Sequence, residues 1–447
     1  MTAPSPIPAA RMDVAQKRVT VLGLGRFGGG VGVIKWLCEQ GANVTVSDLA
    51  PAEKLADSVA ELDGLDVTLH LGGQIADDFT SPDLLVVSPA VPAGAEPLRQ
   101  AAEASVPRTT EINLFIARCP APIVGITGTV GKSTTTAMTG ELLAGTLPTH
   151  VGGNIGRSLL GDLDRIGPDH AVVLELSSFQ LDELPELGVS PHVALVTNLV
   201  PNHLDRHGTI EAYASAKKNI FRYQKPGDVL ILNAADDQTR SWGDEAPDGV
   251  RVEYFDPADE PFDLSVVGTH NQANAQAAWA VARQFGINRA QAATSLKAFG
   301  GLEHRLQFVA EINGVRFFND SKCTTPEGAI VALESFPPRS AVMIVGGYDK
   351  QVSFAALGAA LAARAKAVVT IGATASAIAD ATAAADQDTR QTTNVISAAS
   401  LEQAMSLARQ AAGPGDAVVL SPACASYDMF DNYQQRGMRF VELVRHP

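Results

Sequence analysis

Short apolar runs rich in Val, Ile and Leu alternate with longer, Ala-rich stretches along almost the whole chain, and this alternation constrains the fold more than any other feature. The runs occupy residues 19–22, 43–47, 84–87, 123–126, 171–174, 193–196, 229–232, 341–345, 367–371 and 417–420. A strand covered by helices on both faces reads as an unbroken apolar run, the habit of parallel strands joined by crossover helices. Residues 131–144, 270–284 and 400–412 have the spacing and length of such helices. One segment breaks the pattern. Between Phe308 and Phe318, Asn313-Gly314 separates two short runs, which predicts an antiparallel hairpin. With 447 residues the chain is too long for one core and suits about three domains. The fold class expected is therefore α/β, with mostly parallel sheets.

Charge narrows the possible partners. Lys and Arg number 34 against 49 Asp and Glu, a formal charge of −15. Binding to nucleic acid or an anionic membrane is driven by cationic neutralisation of phosphates, so both are argued against. A local loop can still bind a small phosphorylated ligand. Cys38, Cys119, Cys323 and Cys424 are far apart, with no Cys-x-x-Cys pair, so reduced thiols in a cytoplasmic protein are expected. Residues 1–17 are rich in Pro and Ala and lack the apolar centre of a signal peptide, so a loose arm is expected there. No stretch approaches the ~18 apolar residues of a spanning helix.

In open α/β sheets, ligands bind at the carboxyl ends of strands, so the loops after the strands carry the functional reading. After the first strand, Gly23-Leu-Gly25-Arg26-Phe27-Gly28 matches Gly-x-Gly-x-x-Gly, and Asp48 ends the second strand. A dinucleotide fold has this pattern, with glycines for the tight turn and an acid for ribose. A nicotinamide site, another nucleotide or diphosphate, and a purely structural turn all remain open on these residues alone.

The run Ile123-Val-Gly-Ile-Thr-Gly128-Thr129-Val-Gly131-Lys132-Ser133-Thr134 reads as strand, glycine turn and helix start. Backbone N–H groups there can surround phosphate oxygens, Lys132 supplies a point charge, and the Ser133 hydroxyl can hold Mg²⁺. The residue five before Gly131 is Ile126, so the strict Gly-x4-Gly-Lys spacing is not met. ATP is the expected ligand. Glu175 ends an apolar strand, where a hard carboxylate beside a phosphate loop suits Mg²⁺. His203, Asp205 and His207 follow another strand; a catalytic or metal role is expected for His203 and a surface role for His207.

Taken together, these motifs resemble the ATP-dependent Mur ligases of peptidoglycan synthesis, whose relatives include folylpolyglutamate synthase. The resemblance rests on 128–134, Gly152-Gly-Asn154-Ile-Gly156, Glu175-Leu-Ser-Ser-Phe-Gln-Leu181 and 198–208. It continues through His270-Asn271-x-x-Asn274, Glu303-His-Arg305, Asn319-Asp320-Ser-Lys322, Gly346-Gly347-x-x-Lys350 and Ser421-Pro-Ala-Cys-Ala-Ser426-Tyr-Asp428-x-Phe430. The last motif resembles the D-glutamate-adding branch, and the Asp-Asn-Pro-Arg motif of the diaminopimelate-adding branch is absent. Val130 stands where the family commonly has Asn, and Ala90 replaces a common Gly.

The resemblance implies three domains: a Rossmann-like UDP-substrate domain over 1–110, a central P-loop ATPase-type domain over 111–304, and a Rossmann-like amino-acid domain over 305–447 that opens with the hairpin. It implies the substrates UDP-N-acetylmuramoyl-L-alanine and D-glutamate, with ATP and two Mg²⁺ ions, in a cytoplasmic, monomeric enzyme. By this carry-over Gly25, Arg26, Phe27, Asp48, Ser88 and Asn154 receive the UDP substrate. Gly128, Thr129, Gly131, Lys132, Ser133, Thr134, Asn271, Asn274, Arg305 and Asp320 receive ATP. Ser133, Glu175, His203 and Lys217 hold metal, with Lys217 carried as a carbamate, and Lys132, His203 and Lys217 are catalytic. Lys322, Thr324, Lys350, Ser426 and Tyr433 take D-glutamate. The alternatives are another Mur-type or folate-glutamylating ligase, a nucleotide-regulated binding protein, and an NAD-dependent dehydrogenase.

Overall fold

The computed structural model describes residues 8–25, 29–389 and 392–446. They divide into two compact units, one reaching to Glu260 and including Ala273–Ser295, the other comprising Pro261–Gln272 and the chain from Leu296 onward.

The first unit holds two parallel sheets. Strands β1 (Arg18–Leu22), β2 (Asn43–Asp48), β3 (Val67–Leu71), β4 (Leu84–Val87) and β5 (Arg108–Thr109) lie in the order β3-β2-β1-β4-β5. Strands β6 (Ile123–Thr127), β7 (Thr149–Gly153), β8 (Ala171–Glu175), β9 (Val193–Val196), β10 (Val229–Asn233) and β11 (Arg251–Phe255) lie in the order β11-β10-β9-β6-β8-β7. Every residue of β6, β8, β9 and β10 is buried, as their apolar runs require. The strand order reverses around β6, so the β6 and β8 loops open at a topological switch point.

In the second unit β12 (Gln307–Ile312), β13 (Val315–Asn319), β14 (Ala341–Gly346), β15 (Ala367–Ile371), β16 (Asn394–Ser397) and β17 (Ala417–Leu420) lie in the order β12-β13-β17-β14-β15-β16. Only β12 is antiparallel, pairing with β13 as the hairpin expected from Asn313-Gly314. Both turn residues have positive φ, +53° and +77°, as a tight two-residue hairpin requires.

Two expectations change. Residues 8–17 are not a loose arm: Ala10 and Val14 are buried, and the Arg118 guanidinium donates to the carbonyl oxygens of Ala10 and Met12. Residues 1–7 lie outside the described residues. The helix expected over 270–284 ends at Ala282 and tightens into a 3₁₀ turn, Arg283–Phe285. All four cysteines are free. No described helix is long and apolar enough to cross a membrane.

Candidate active site

The loop after β6 is shaped by backbone constraints before any side chain acts. Gly128 has φ of +145°, and a Cβ on it would lie 1.9 Å from Thr197 Oγ1. Only glycine fits so close an approach in that conformation. The strap formed by Thr197 and Asn198, after β9, holds the loop. Val130 N–H donates to Asn198 Oδ1 at 3.0 Å, and the Val130 carbonyl accepts from Asn198 Nδ2 at 3.0 Å and Thr197 Oγ1 at 2.8 Å. The Val130 side chain is 59% exposed, so the hydrogen bonds at this position come from its main chain and from Asn198. Thr129 N–H donates to the Asn198 carbonyl, and the Thr129 hydroxyl faces Val200 and Tyr213.

Two lysines close on this loop. Lys132 opens the helix Lys132–Ala144, with Nζ donating to the Thr129 carbonyl at 2.8 Å. Lys217, 1% exposed on the helix Ile210–Arg222, donates from Nζ to the Gly128 carbonyl at 2.7 Å and lies 4.6 Å from the centre of the Tyr213 ring. Burial, and then the Lys132 charge, hold the Lys217 ammonium well below its ordinary range, with Glu175 acting in the opposite sense. Ser133 and Thr134 follow in the first helical turn, both half-buried. Asn274 reaches the same helix, its Oδ1 accepting from the Thr135 hydroxyl at 3.3 Å.

Glu175 ends β8 and is 2% exposed. Gly153 lies opposite it in β7, where a Cβ would meet the Glu175 carbonyl at 2.3 Å. This approach lets Asn154 bond Glu175 twice, N–H to the carbonyl at 2.8 Å and Nδ2 to Oε1 at 2.8 Å. Oε2 is buried with no hydrogen-bond partner. A buried carboxylate oxygen without a donor is costly, and a hard cation would satisfy it. Among the described residues no three His, Cys, Asp or Glu side chains group around one point. A metal here would therefore depend on Glu175 together with hydroxyl or other oxygen donors.

His203 is exposed, has φ of +53° and begins the short helix Leu204–His207; its ring lies edge-on to Phe179 at 5.1 Å. Partial desolvation holds its imidazolium below the usual range against the opposing pull of Asp205. His207 does not have the expected surface role. Its side chain is 6% exposed, stacks on Phe179 at 5.4 Å and shares a 2.9 Å hydrogen bond with the Ser178 hydroxyl. It anchors the loop that presents His203. Arg206 lies over the same Phe179 ring, 4.2 Å from its centre, and donates to the Val91 carbonyl at 2.9 Å.

At the first sheet, Asp48 Oδ2 accepts from Leu24 N–H at 2.9 Å and Gly25 N–H at 3.2 Å, and Oδ1 accepts from Ala50 N–H. The carboxylate thus closes the glycine turn. Ser88 borders the same turn, its Cβ 2.8 Å from where a Gly23 Cβ would lie. Arg26 and Phe27 lie outside the described residues.

In the second unit, Asn271 is buried and donates to the Val267 carbonyl, while Arg305 is exposed. Asp320 follows β13, with Oδ1 accepting from Leu306 N–H at 3.1 Å and Oδ2 from the Ser421 hydroxyl at 2.7 Å. Burial pushes its carboxyl up to about 6 from 3.8, those hydrogen bonds opposing. The folded chain therefore keeps a proton that the unfolded chain releases between about pH 4 and pH 6. Stability from this group falls as pH rises through that window, by about 3 kcal/mol in all, and is level above it. Asp320→Asn should remove this decline, so its stability relative to the parent chain rises between pH 4.5 and pH 7.5. Denaturant unfolding at the two pH values checks it, and a constant difference would sink the argument.

Thr324 and Lys350 share a cavity of about 230 Å³, with Glu327, Tyr348 and Cys424 also lining it. The other expected D-glutamate residues do not line it. Lys322 Nζ lies 5.7 Å from the centre of the Tyr433 ring, and Ser426 is buried in a turn that caps Met429 and Phe430.

Three domain models match the chain: the MurD-like N-terminal domain over residues 17–109, the Mur ligase middle domain over 126–263, and the glutamate ligase domain over 304–424. The UDP-N-acetylmuramoylalanine–D-glutamate ligase of Roseiflexus sp. is 39% identical over 471 residues, covering 97% of this chain and 99% of its own. The ligase of the same name from Pelotomaculum thermopropionicum is 39% identical over 460 residues, covering 97% and 98%. The chain belongs to the Mur ligase family. The fold agrees with solved Mur ligases. UDP-N-acetylmuramate-alanine ligase from Thermotoga maritima superposes with a TM-score of 0.63 at 21% identity, covering 96% of this chain and 99% of that one.

Sequence reasoning missed several residues of this Mur ligase. It did not assign Thr197 and Asn198 their role as a strap, because that role depends on a loop 67 residues away. It did not single out Arg436, although Arg436, Phe440 and Val444 share one helical phase and are all buried. An arginine in phase with apolar residues was the available signal.

Proposed function

We propose that this Mur ligase joins D-glutamate to UDP-N-acetylmuramoyl-L-alanine with hydrolysis of ATP, in cytoplasmic peptidoglycan precursor synthesis, and acts as a monomer. The single observation that carries the chemistry is that the Lys132 loop follows β6, whose neighbour β8 ends in Glu175 with Oε2 buried and unpartnered. The name shared by relatives at 39% identity supports the substrate pair. We assign residues 1–110 to the UDP substrate, 111–304 to ATP and 305–447 to D-glutamate.

Amide formation from a carboxylate needs activation, because carboxylate oxygen is a poor leaving group. The alanyl carboxylate attacks the γ-phosphorus of ATP, the bond to the β,γ-bridging oxygen breaks and ADP leaves, giving an acyl phosphate. The deprotonated amine of D-glutamate then attacks the acyl carbon, and the tetrahedral intermediate collapses with loss of inorganic phosphate. Anions converge in this path, and their repulsion is the main electrostatic obstacle. Lys132 supplies one fixed cation, and the loop N–H groups at Gly128–Thr134 cradle phosphate oxygens. Glu175, Ser133 and His203 would hold two Mg²⁺ ions, which when bound neutralise charge on the phosphates. Lys217 fits a carbamate: burial holds its pKa well below the ordinary lysine range and favours the neutral amine, the form that takes up CO₂ to become an anionic oxygen donor. Asn154 fixes the Glu175 carboxylate and leaves Oε2 free to ligate.

Incubation with ATP, UDP-N-acetylmuramoyl-L-alanine and D-glutamate should release phosphate in step with a new amide. Turnover with a different amino acid, but none with D-glutamate, would overturn the substrate assignment.

A further inference from the structure

The cavity that holds Thr324 and Lys350 has a second charged lining residue, Glu327. At about 230 Å³ it has room for roughly seven or eight water molecules, or one ligand of amino-acid size. A carboxylate facing a site for a dicarboxylate is electrostatically adverse unless the ligand also carries a cation. An α-amino acid does.

The fold holds Glu327 at this rim. The Thr325 hydroxyl caps the helix Pro326–Glu334 by accepting from Gly328 N–H at 3.3 Å, and Pro326 opens its first turn. A carboxylate in a first turn also suits the helix dipole. That role alone would make Glu327 indifferent to ligand.

Resting on the reading of the substrate above, we propose that Glu327 is a specificity residue that pairs with the α-ammonium of the incoming amino acid while Lys350 takes a carboxylate. The Thr324 hydroxyl and the Tyr348 ring complete the walls. The two opposite charges then select a dicarboxylate bearing an amine over a plain dicarboxylic acid. The ammonium must lose its proton before attack, so the pairing belongs to substrate binding and its effect falls on KM.

Glu327→Gln should raise KM for D-glutamate about tenfold, with kcat within about twofold and the KM values for ATP and the UDP substrate unchanged. Inhibition by glutarate, the same dicarboxylate without the amine, should hold or tighten. Glu327→Asp should recover part of the lost affinity. An unchanged KM for D-glutamate overturns the proposal in favour of a helix-capping role. Equal weakening of D-glutamate and glutarate also overturns it, because the cavity as a whole would then have changed. Failure of the parent enzyme to use D-glutamate would instead refute the substrate assignment, so the two failures are separable.

Discussion

Replacing Lys217 with alanine should lower kcat by about a thousandfold, roughly 4 kcal/mol of transition-state stabilisation, and short carboxylic acids should restore part of it. The expectation follows from where the amine sits. Its Nζ is buried against the Gly128 carbonyl, close enough to Lys132 and Glu175 to feel both charges. A permanent ammonium there would add a second cation beside Lys132 and would have to be buried with one carbonyl as its close acceptor. Carbamylation would remove that cation and supply an anionic oxygen within the electrostatic reach of Glu175. An added carboxylic acid can occupy the space vacated by the side chain and provide the same oxygen. The substitution also removes the donor to the Gly128 carbonyl, worth about 1–3 kcal/mol of folding stability, so unfolding should be measured alongside activity. Labelled bicarbonate gives a second readout, a carbamate signal in the parent protein that is absent from the variant. Full activity in Lys217→Ala would remove the residue from the chemistry. Loss of activity with no carboxylate rescue and no carbamate signal would leave only a structural role.

The strands legible in the sequence and those that were not differ in a simple physical respect. Each run expected outside the hairpin became a strand interior to its sheet. The strands without an apolar run are β3, β5, β7, β11 and β16, and each is an edge. Edge strands are half-solvated and carry Thr, His, Arg and Glu, so no continuous run marks them. One of them, β7, delivers Asn154 to Glu175, so an edge invisible to periodicity shapes the candidate metal site. The same limit applied to side chains. Gly128, Lys132 and Glu175 could be found because glycine, lysine and an acid at strand ends have few other uses. His207 could not, because its burial depends on Ser178 and Phe179 from the short helix Ser178–Leu181.

Arg436 tests how far a buried charge can serve as scaffold. It is 1% exposed, and its guanidinium donates to Ser321 Oγ at 3.0 Å, the Ser321 carbonyl at 2.9 Å, the Cys424 carbonyl at 3.0 Å and the Ala425 carbonyl at 3.2 Å. No carboxylate is among these acceptors. Burial lowers its pKa to about 10, so it remains charged at neutral pH. The planar fork ties the segment after β13 to the segment after β17, and Cys424 in the latter also lines the Glu327–Lys350 cavity. Arg436→Met fills similar space but leaves the Ser321 and Cys424 carbonyls and the Ser321 hydroxyl oxygen without their donor, while the Ala425 carbonyl keeps Tyr348 N–H at 2.9 Å. The cost should be about 3–5 kcal/mol, or a fall in Tm on the order of 10 °C for the transition of the second unit. Arg436→Lys keeps the charge but not the fork, and should fall between the parent and Met. The KM for D-glutamate should rise in both variants as the cavity wall loosens. A loss below about 1 kcal/mol in Arg436→Met would mean that the carbonyls find other donors, and the guanidinium would then not be what holds the wall in place.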